Sequence, residues 1–186
     1  MIYYSIPWHS QQNIGSYYNK FMQSLPNSSD YGCFIDGDAC FTTSDFGSII
    51  ESHIENKPNV GLWTCLTNRV GCPYQVLRGI KDSNDIKYHR KIGEQISKKN
   101  KLQSYKINNL QPLSGMLILL KKEFWEKCGG FKENGLLGID NDIHVDLNKV
   151  CEIRMMLDLY VFHWYRGASK FTGIPHHYPS PKIFSL

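Results

Sequence analysis

Apolar residues along this chain fall into two rhythms: short solid runs, and stretches where they recur every three or four positions. The runs "IYYSIPW" (Ile2–Trp8, ended by Pro7), "CFID" (Cys33–Asp36) and "NVGLWTCLT" (Asn59–Thr67) predict buried strands. Between the first two, "NIGSYYNKFMQSL" sets Ile14, Tyr17, Tyr18, Phe21, Met22 and Leu25 on one helical face. A second helix, capped by Thr43 or Ser44, repeats that spacing with Phe46, Ile49, Ile50 and Ile54. After the loop "NRVGCPYQ", Ser83–Lys98 predicts a more polar helix. "SYKINNL" and "GMLILLKK" predict further strands, and "KEFWEKCGGF" a short helix stopped by Gly129 and Gly130. A helix starting near Asp140 follows, and "EIRMMLDLYVFHWY" closes the core as a strand.

Strands alternating with helices predict an α/β sheet of largely parallel strands. Such sheets bind ligands at the carboxyl ends of their strands. Polar residues gather at those ends: His9 after the first strand, Asp36 and Asp38 after the second, Asn68 and Arg69 after the third. A chain of 186 residues is read as one domain with a sizeable core, and 41% apolar with 13% aromatic content excludes a disordered chain. The net charge of +4 suits an anionic small ligand, while the absence of a dense basic patch argues against nucleic acid as a partner. Six scattered cysteines without a C-x-x-C pair form neither a zinc motif nor a disulfide framework, which predicts reduced thiols and a cytoplasmic protein. The opening residues lack the pattern of a signal peptide, and no apolar run is long enough to span a bilayer.

Three constellations carry candidate chemistry. In "GCFIDGDACFTT" an apolar run ends in Asp36 and Asp38, with Gly37 between them. Carboxylates two apart on an extended segment point to opposite sides, so sharing one ion requires a bend, which Gly37 permits. Hard oxygen ligands with vacancies for phosphate oxygens suit Mg²⁺ or Mn²⁺. In "GLLGIDNDIHVDL", Asp140, Asp142 and Asp146 cluster with His144. Asp140 and Asp142 there serve either as helix N-terminal charges or as a general base. In "LYVFHWYRG", His163 ends an apolar strand and is either a satisfied structural residue or a third metal ligand. Arg166 beyond it can neutralise a diphosphate. Ser114 and Gly115, at the entrance to a buried strand, suit either a sugar pocket or close packing.

Taken in order, "CFIDGDACF", "LSGMLILLKKEFWEKCGGF", "GIDNDIH" and "LYVFHWYR" resemble the motifs of metal-dependent nucleotide-sugar glycosyltransferases of the GT-A fold, especially the compact inverting family 2 enzymes of phages, large viruses and bacteria. The resemblance runs from about Tyr3 to Arg166. It implies a single-domain Rossmann-like α/β fold with a mixed central sheet and helices on both faces. Residues 1–70 would form the nucleotide-binding half, 104–166 the acceptor and catalytic half, and 167–186 an irregular tail. Asp38 and His163 would hold Mn²⁺ or Mg²⁺, and Asp36 would join them or contact ribose. Asp140 would be the catalytic base, with Asp142 structural or acceptor-binding. Pro7 and Trp8 would lie beside the nucleotide base, and Arg69 and Arg166 near the diphosphate or acceptor. The implied donor is a nucleoside-diphosphate sugar, UDP by default, and the acceptor a hydroxyl of a glycan, glycoprotein or lipid-linked sugar, glycosylated with inversion in a hexosyl or deoxyhexosyl transfer. Where the family commonly has a Glu-Asp pair, Ile139 precedes Asp140.

Two further readings use the same residues. "FIDGDACFTT" is similar to the D-x-D-x-T motif of haloacid-dehalogenase-type phosphatases, in which Asp36 would attack phosphate and Asp38 act as acid and base. Cys40 stands where that motif has threonine. A non-catalytic sugar- or nucleotide-binding module would keep the aromatic residues and the metal without needing Asp140.

Overall fold

The computed structural model describes residues 1–7, 13–108, 113–133 and 138–164. Trp8, His9 and Arg166 lie outside the described residues. The chain forms an α/β fold in the order β1 (Ile2–Ser5), α1 (Ile14–Ser24), β2 (Tyr31–Ile35), β3 (Ala39–Phe41), α2 (Phe46–Asn56), β4 (Val60–Thr67), α3 (Ile86–Lys99), β5 (Ser104–Ile107), β6 (Leu117–Lys121), α4 (Lys122–Cys128), α5 (Ile139–Leu147) and β7 (Glu152–His163). Seven strands make one mixed sheet in the order β1-β2-β6-β4-β7-β3, with β5 also paired to β7.

The largely parallel sheet expected from the alternation of strands and helices is corrected to a mixed one, as the resemblance implied. β1 and β2 are parallel, but β6 pairs antiparallel with both β2 and β4, and β3 pairs antiparallel with β7. A strand buried on both faces carries the same apolar run in either direction, so Leu117–Leu120 gave no sign of its polarity. β3, only three residues long, had no periodic signal at all.

Two compact units divide the chain, and each has its own core. The described residues of one fall within 1–37, 58–64 and 106–154; those of the other fall within 38–57, 65–105 and 155–164. In the first, Asn13 caps α1 through the Ser16 N–H at 3.1 Å. Tyr18 of that helix packs its ring 4.6 Å from both Phe34 and Phe131. Gly129 ends α4 in the left-handed region, φ 86°, as its place in the sequence predicts. The β6 leucines and Met22 are fully buried in this unit.

In the second unit, α2 starts from Asp45 without a side-chain cap, instead of from Thr43 or Ser44. Thr42 is instead drawn into the core, where its hydroxyl donates to the Tyr160 carbonyl at 2.5 Å. A buried His53–Asp158 pair at 2.6 Å ties α2 to β7, and the other Asp158 oxygen accepts the Leu102 N–H at 2.7 Å. Asp85 caps α3 through the Lys87 N–H. All six cysteines are free, with Cys33, Cys65 and Cys72 buried as small apolar groups. Among the described residues no helix is long and apolar enough to cross a membrane.

Candidate functional site

The first unit brings strand ends and an acidic helix to one edge of the sheet. Because β1 and β2 run parallel, with Ser5 opposite Phe34, both end at the same level. Pro7 follows Ile6, whose side chain lies beside Gly37. The antiparallel β6 begins where β2 ends, with Ile35 opposite Leu117. The Asp36 N–H accordingly donates to the Met116 carbonyl at 3.1 Å. One residue earlier, the Gly115 N–H donates to Asp140 Oδ2 at 2.8 Å. Asp140 Oδ1 accepts the Asn141 N–H at 2.9 Å. Gly115 is thus more than a small packing residue, since its backbone fixes the carboxylate at the start of α5.

Burial raises the Asp140 pKa, and the hydrogen bond from Gly115 opposes that rise. A carboxylate moved up toward neutral pH is a stronger base while still ionised. Asp142 is half-buried and lies 3.5 Å from Lys132 Nζ, a partly exposed ion pair. The negative charges of Asp36 and Asp140 both act on the Tyr18 hydroxyl, whose pKa is pushed up by burial first and by these two carboxylates next. Tyr18 therefore feels the charge of both acidic motifs. The sequence placed it only on the apolar face of a helix.

Gly37 and Asp38 form the tight turn from β2 into β3. Among the described residues Gly37 is not one of those with positive φ, and a Cβ there would meet only Ile6 at 3.5 Å. The bend expected at this position exists, but it does not need glycine. Beyond the turn, β3 pairs with β7 so that Ala39 lies opposite His163, and the Trp164 N–H donates to the Asp38 carbonyl at 2.8 Å.

His163 is 3% exposed. Its Nδ1 lies 2.9 Å from the Arg69 carbonyl. A carbonyl only accepts, so Nδ1 carries the proton. Nε2 then turns toward Asp38 Oδ1 at 3.1 Å. In the neutral ring that pair sets a nitrogen lone pair against a carboxylate oxygen, an arrangement that calls for a shared positive charge, either a metal cation or a second ring proton. Metal-binding histidines commonly fix their tautomer this way, through a carbonyl at the other nitrogen.

Asp36, two peptide links from Asp38, joins the group: one ligand atom from each of Asp36, Asp38 and His163 lies within 4.8 Å of the others. A six-coordinate Mg²⁺ or Mn²⁺ with bonds of about 2.1 Å places neighbouring donors about 3 Å apart and opposite donors about 4 Å apart. Two carboxylates and one imidazole, its Nδ1 facing a carbonyl, are a donor set that suits such an ion.

Arg69 sits at the end of β4 with its guanidinium already engaged. Its Nε and one terminal nitrogen pair with Asp82, and the other donates to Asn84 at 2.7 Å. The side chain thus pins the loop before α3. The buried His89 anchors the same loop, its Nε2–H donating to the Ser83 carbonyl at 2.9 Å while Nδ1 meets the Tyr160 hydroxyl at 2.7 Å. Asn68, noted in the sequence only as a polar residue at a strand end, bonds both backbone groups of His163. No protein-family model matches the chain, and no curated protein is significantly similar to it.

Proposed function

We propose that this chain is a metal-dependent glycosyltransferase of the GT-A type, forming a single domain that transfers a sugar from a nucleoside-diphosphate donor to an acceptor hydroxyl with inversion. The observation that carries the reading is the convergence of Asp36, Asp38 and His163, remote in sequence, with Nε2 of the imidazole facing a carboxylate. Asp38 and His163 hold the cation, Mn²⁺ or Mg²⁺, and Asp36 joins them or contacts ribose. When bound, the ion supplies positive charge against the developing negative charge of a departing nucleoside diphosphate.

The remaining chemistry belongs to side chains of the first unit. Asp140, aimed by the Gly115 N–H, takes the proton of the acceptor hydroxyl as that oxygen attacks the anomeric carbon. The bond to the diphosphate breaks on the opposite face, so a single displacement inverts the centre. Pro7, at the level of the β2 end, borders the nucleotide base, and Asp142 faces the acceptor. UDP is the default nucleotide, a hexose or deoxyhexose the sugar, and a glycan, glycoprotein or lipid-linked sugar the acceptor. Free cysteines are compatible with work in a reducing compartment such as the cytoplasm.

A panel of nucleotide sugars incubated with the protein and MnCl₂ tests this reading. Release of the nucleoside diphosphate from one donor, dependent on Mn²⁺, is the expected result. Asp140→Asn is expected to slow that release about 10²- to 10⁴-fold while leaving Mn²⁺ binding in place. Release of inorganic phosphate from a generic phosphate ester, with no turnover of any nucleotide sugar, would instead favour a phosphatase. Nucleotide binding without turnover of either kind would leave a binding module.

A further inference from the structure

His163 lies at the last residue of β7, where strand pairing is running out. On one side β3 still supports it, through the Ala39 register and the bond from the Trp164 N–H to the Asp38 carbonyl. On the β4 side, β4 has already ended at Thr67. The backbone of His163 meets a side chain there. The His163 N–H donates to Asn68 Oδ1 at 2.7 Å, and Asn68 Nδ2 donates to the His163 carbonyl at 3.1 Å. A carboxamide presents one donor and one acceptor with the spacing of a peptide group, so Asn68 extends the sheet by one residue that the backbone does not supply. The Thr67 hydroxyl donates to the same Oδ1 at 3.3 Å, which steadies the amide in this orientation.

The next residue in the chain completes the arrangement. Arg69 offers its carbonyl to the Nδ1–H of the same histidine. Adjacent residues thus hold the histidine at two points, the Asn68 side chain at the His163 backbone and the Arg69 carbonyl at the His163 ring. The Arg69 contact selects the tautomer only if the ring is seated within hydrogen-bond reach of that carbonyl, and the Asn68 clamp fixes that seat.

We propose that Asn68 is a positioning residue that holds His163 in the Nδ1–H tautomer, with Nε2 presented to Asp38 for a divalent cation. The inference rests on the cation reading of the Asp36–Asp38–His163 group. Asparagine is specific here. Aspartate lacks the donor for the His163 carbonyl, and an aliphatic side chain leaves both backbone groups of a buried residue without this partner.

The test uses the full chain with Asn68→Leu, and Asn68→Thr as a milder replacement that offers one hydroxyl in place of the carboxamide. Gly93→Ala, distant in function from the group, serves as a destabilised control. Imidazole ¹⁵N shifts of the metal-free protein at pH 8 report the tautomer, and MnCl₂ titration followed by electron paramagnetic resonance reports affinity. Wild type is expected to show His163 protonated at Nδ1. Asn68→Leu is expected to show mixed tautomers and an Mn²⁺ affinity lowered about 10- to 100-fold, with Gly93→Ala unchanged in both. If Asn68→Leu does not fold, Asn68→Thr decides by the same two readouts, with a smaller loss expected. A folded Asn68 variant that keeps the wild-type tautomer and affinity would overturn the proposal. Should wild type bind no Mn²⁺, the cation reading fails on its own, and the metal-free tautomer still decides the part assigned to Asn68.

Discussion

At the scale of single residues, the described histidines differ in how their burial is compensated. His163 has a carbonyl at one nitrogen and a carboxylate at the other. His89 has the Tyr160 hydroxyl and the Ser83 carbonyl. His144 is 2% exposed, and among the described residues its Nε2 is buried without a hydrogen-bond partner. Burial pushes the pKa of His144 below the ordinary value, and burial is also the largest influence lowering that of His89. A folded-state pKa below the unfolded one means the unfolded chain binds the proton first. The stability contributed is full above the unfolded value of about 6.5 and is lost as pH falls through the folded value. Urea melts between pH 5 and 8 are expected to show stability falling below pH 6.5. His144→Leu should make that fall shallower, by up to about 1.4 kcal/mol per pH unit where one proton is involved. An unchanged slope in the variant would show that His144 is hydrated or partnered in solution. The sequence placed His144 among acidic residues as candidate chemistry; its burial was not legible, because burial depends on what α5 packs against.

At the scale of elements, the amphipathic helices were the most legible feature. α1 and α2 lie within a residue or two of the expected spans, because apolar spacing and helix burial are the same fact read twice. Caps were less legible. Several Ser, Thr and Asp residues precede α2 and none of their side chains caps it; Thr42, just before the two expected caps, bonds the Tyr160 carbonyl. That threonine also carries a prediction about α3. Gly93 faces inward, and a Cβ built on it would stand 2.1 Å from Thr42 Oγ1 and 2.8 Å from Thr42 Cβ. Helix propensity alone would make Gly93→Ala stabilising by roughly 1 kcal/mol. Overpacking against a threonine already bonded to the sheet is expected to outweigh this, for a net loss of about 1–2 kcal/mol. Chemical denaturation of the variant measures the balance, and a gain in stability would mean that α3 shifts freely on the sheet. The strand-end chemistry was legible as position but not as partnership. Arg69 was readable as a cation beyond β4, whereas its engagement with Asp82, thirteen residues on, leaves no local mark in the sequence.

At the scale of the whole molecule, the α/β class followed from the alternation of runs and periodic stretches, while the mixed sheet did not. Insertion of β6 between β2 and β4 shapes the candidate site, because its antiparallel direction brings Met116 and Gly115 to the end of β2. Without that reversal the backbone that holds Asp36 and aims Asp140 would lie at the opposite edge of the sheet. The acidic pair and the late histidine were legible as candidates from their residue types alone, and their convergence is what the fold adds. The central claim is that these three side chains take one divalent cation. Titration of the wild-type protein with MnCl₂, followed by the loss of free-ion electron paramagnetic resonance signal, tests it most directly. One saturable site is predicted, abolished by Asp38→Ala and by His163→Ala; equal Mn²⁺ uptake by wild type and both variants, or none by wild type, would contradict it.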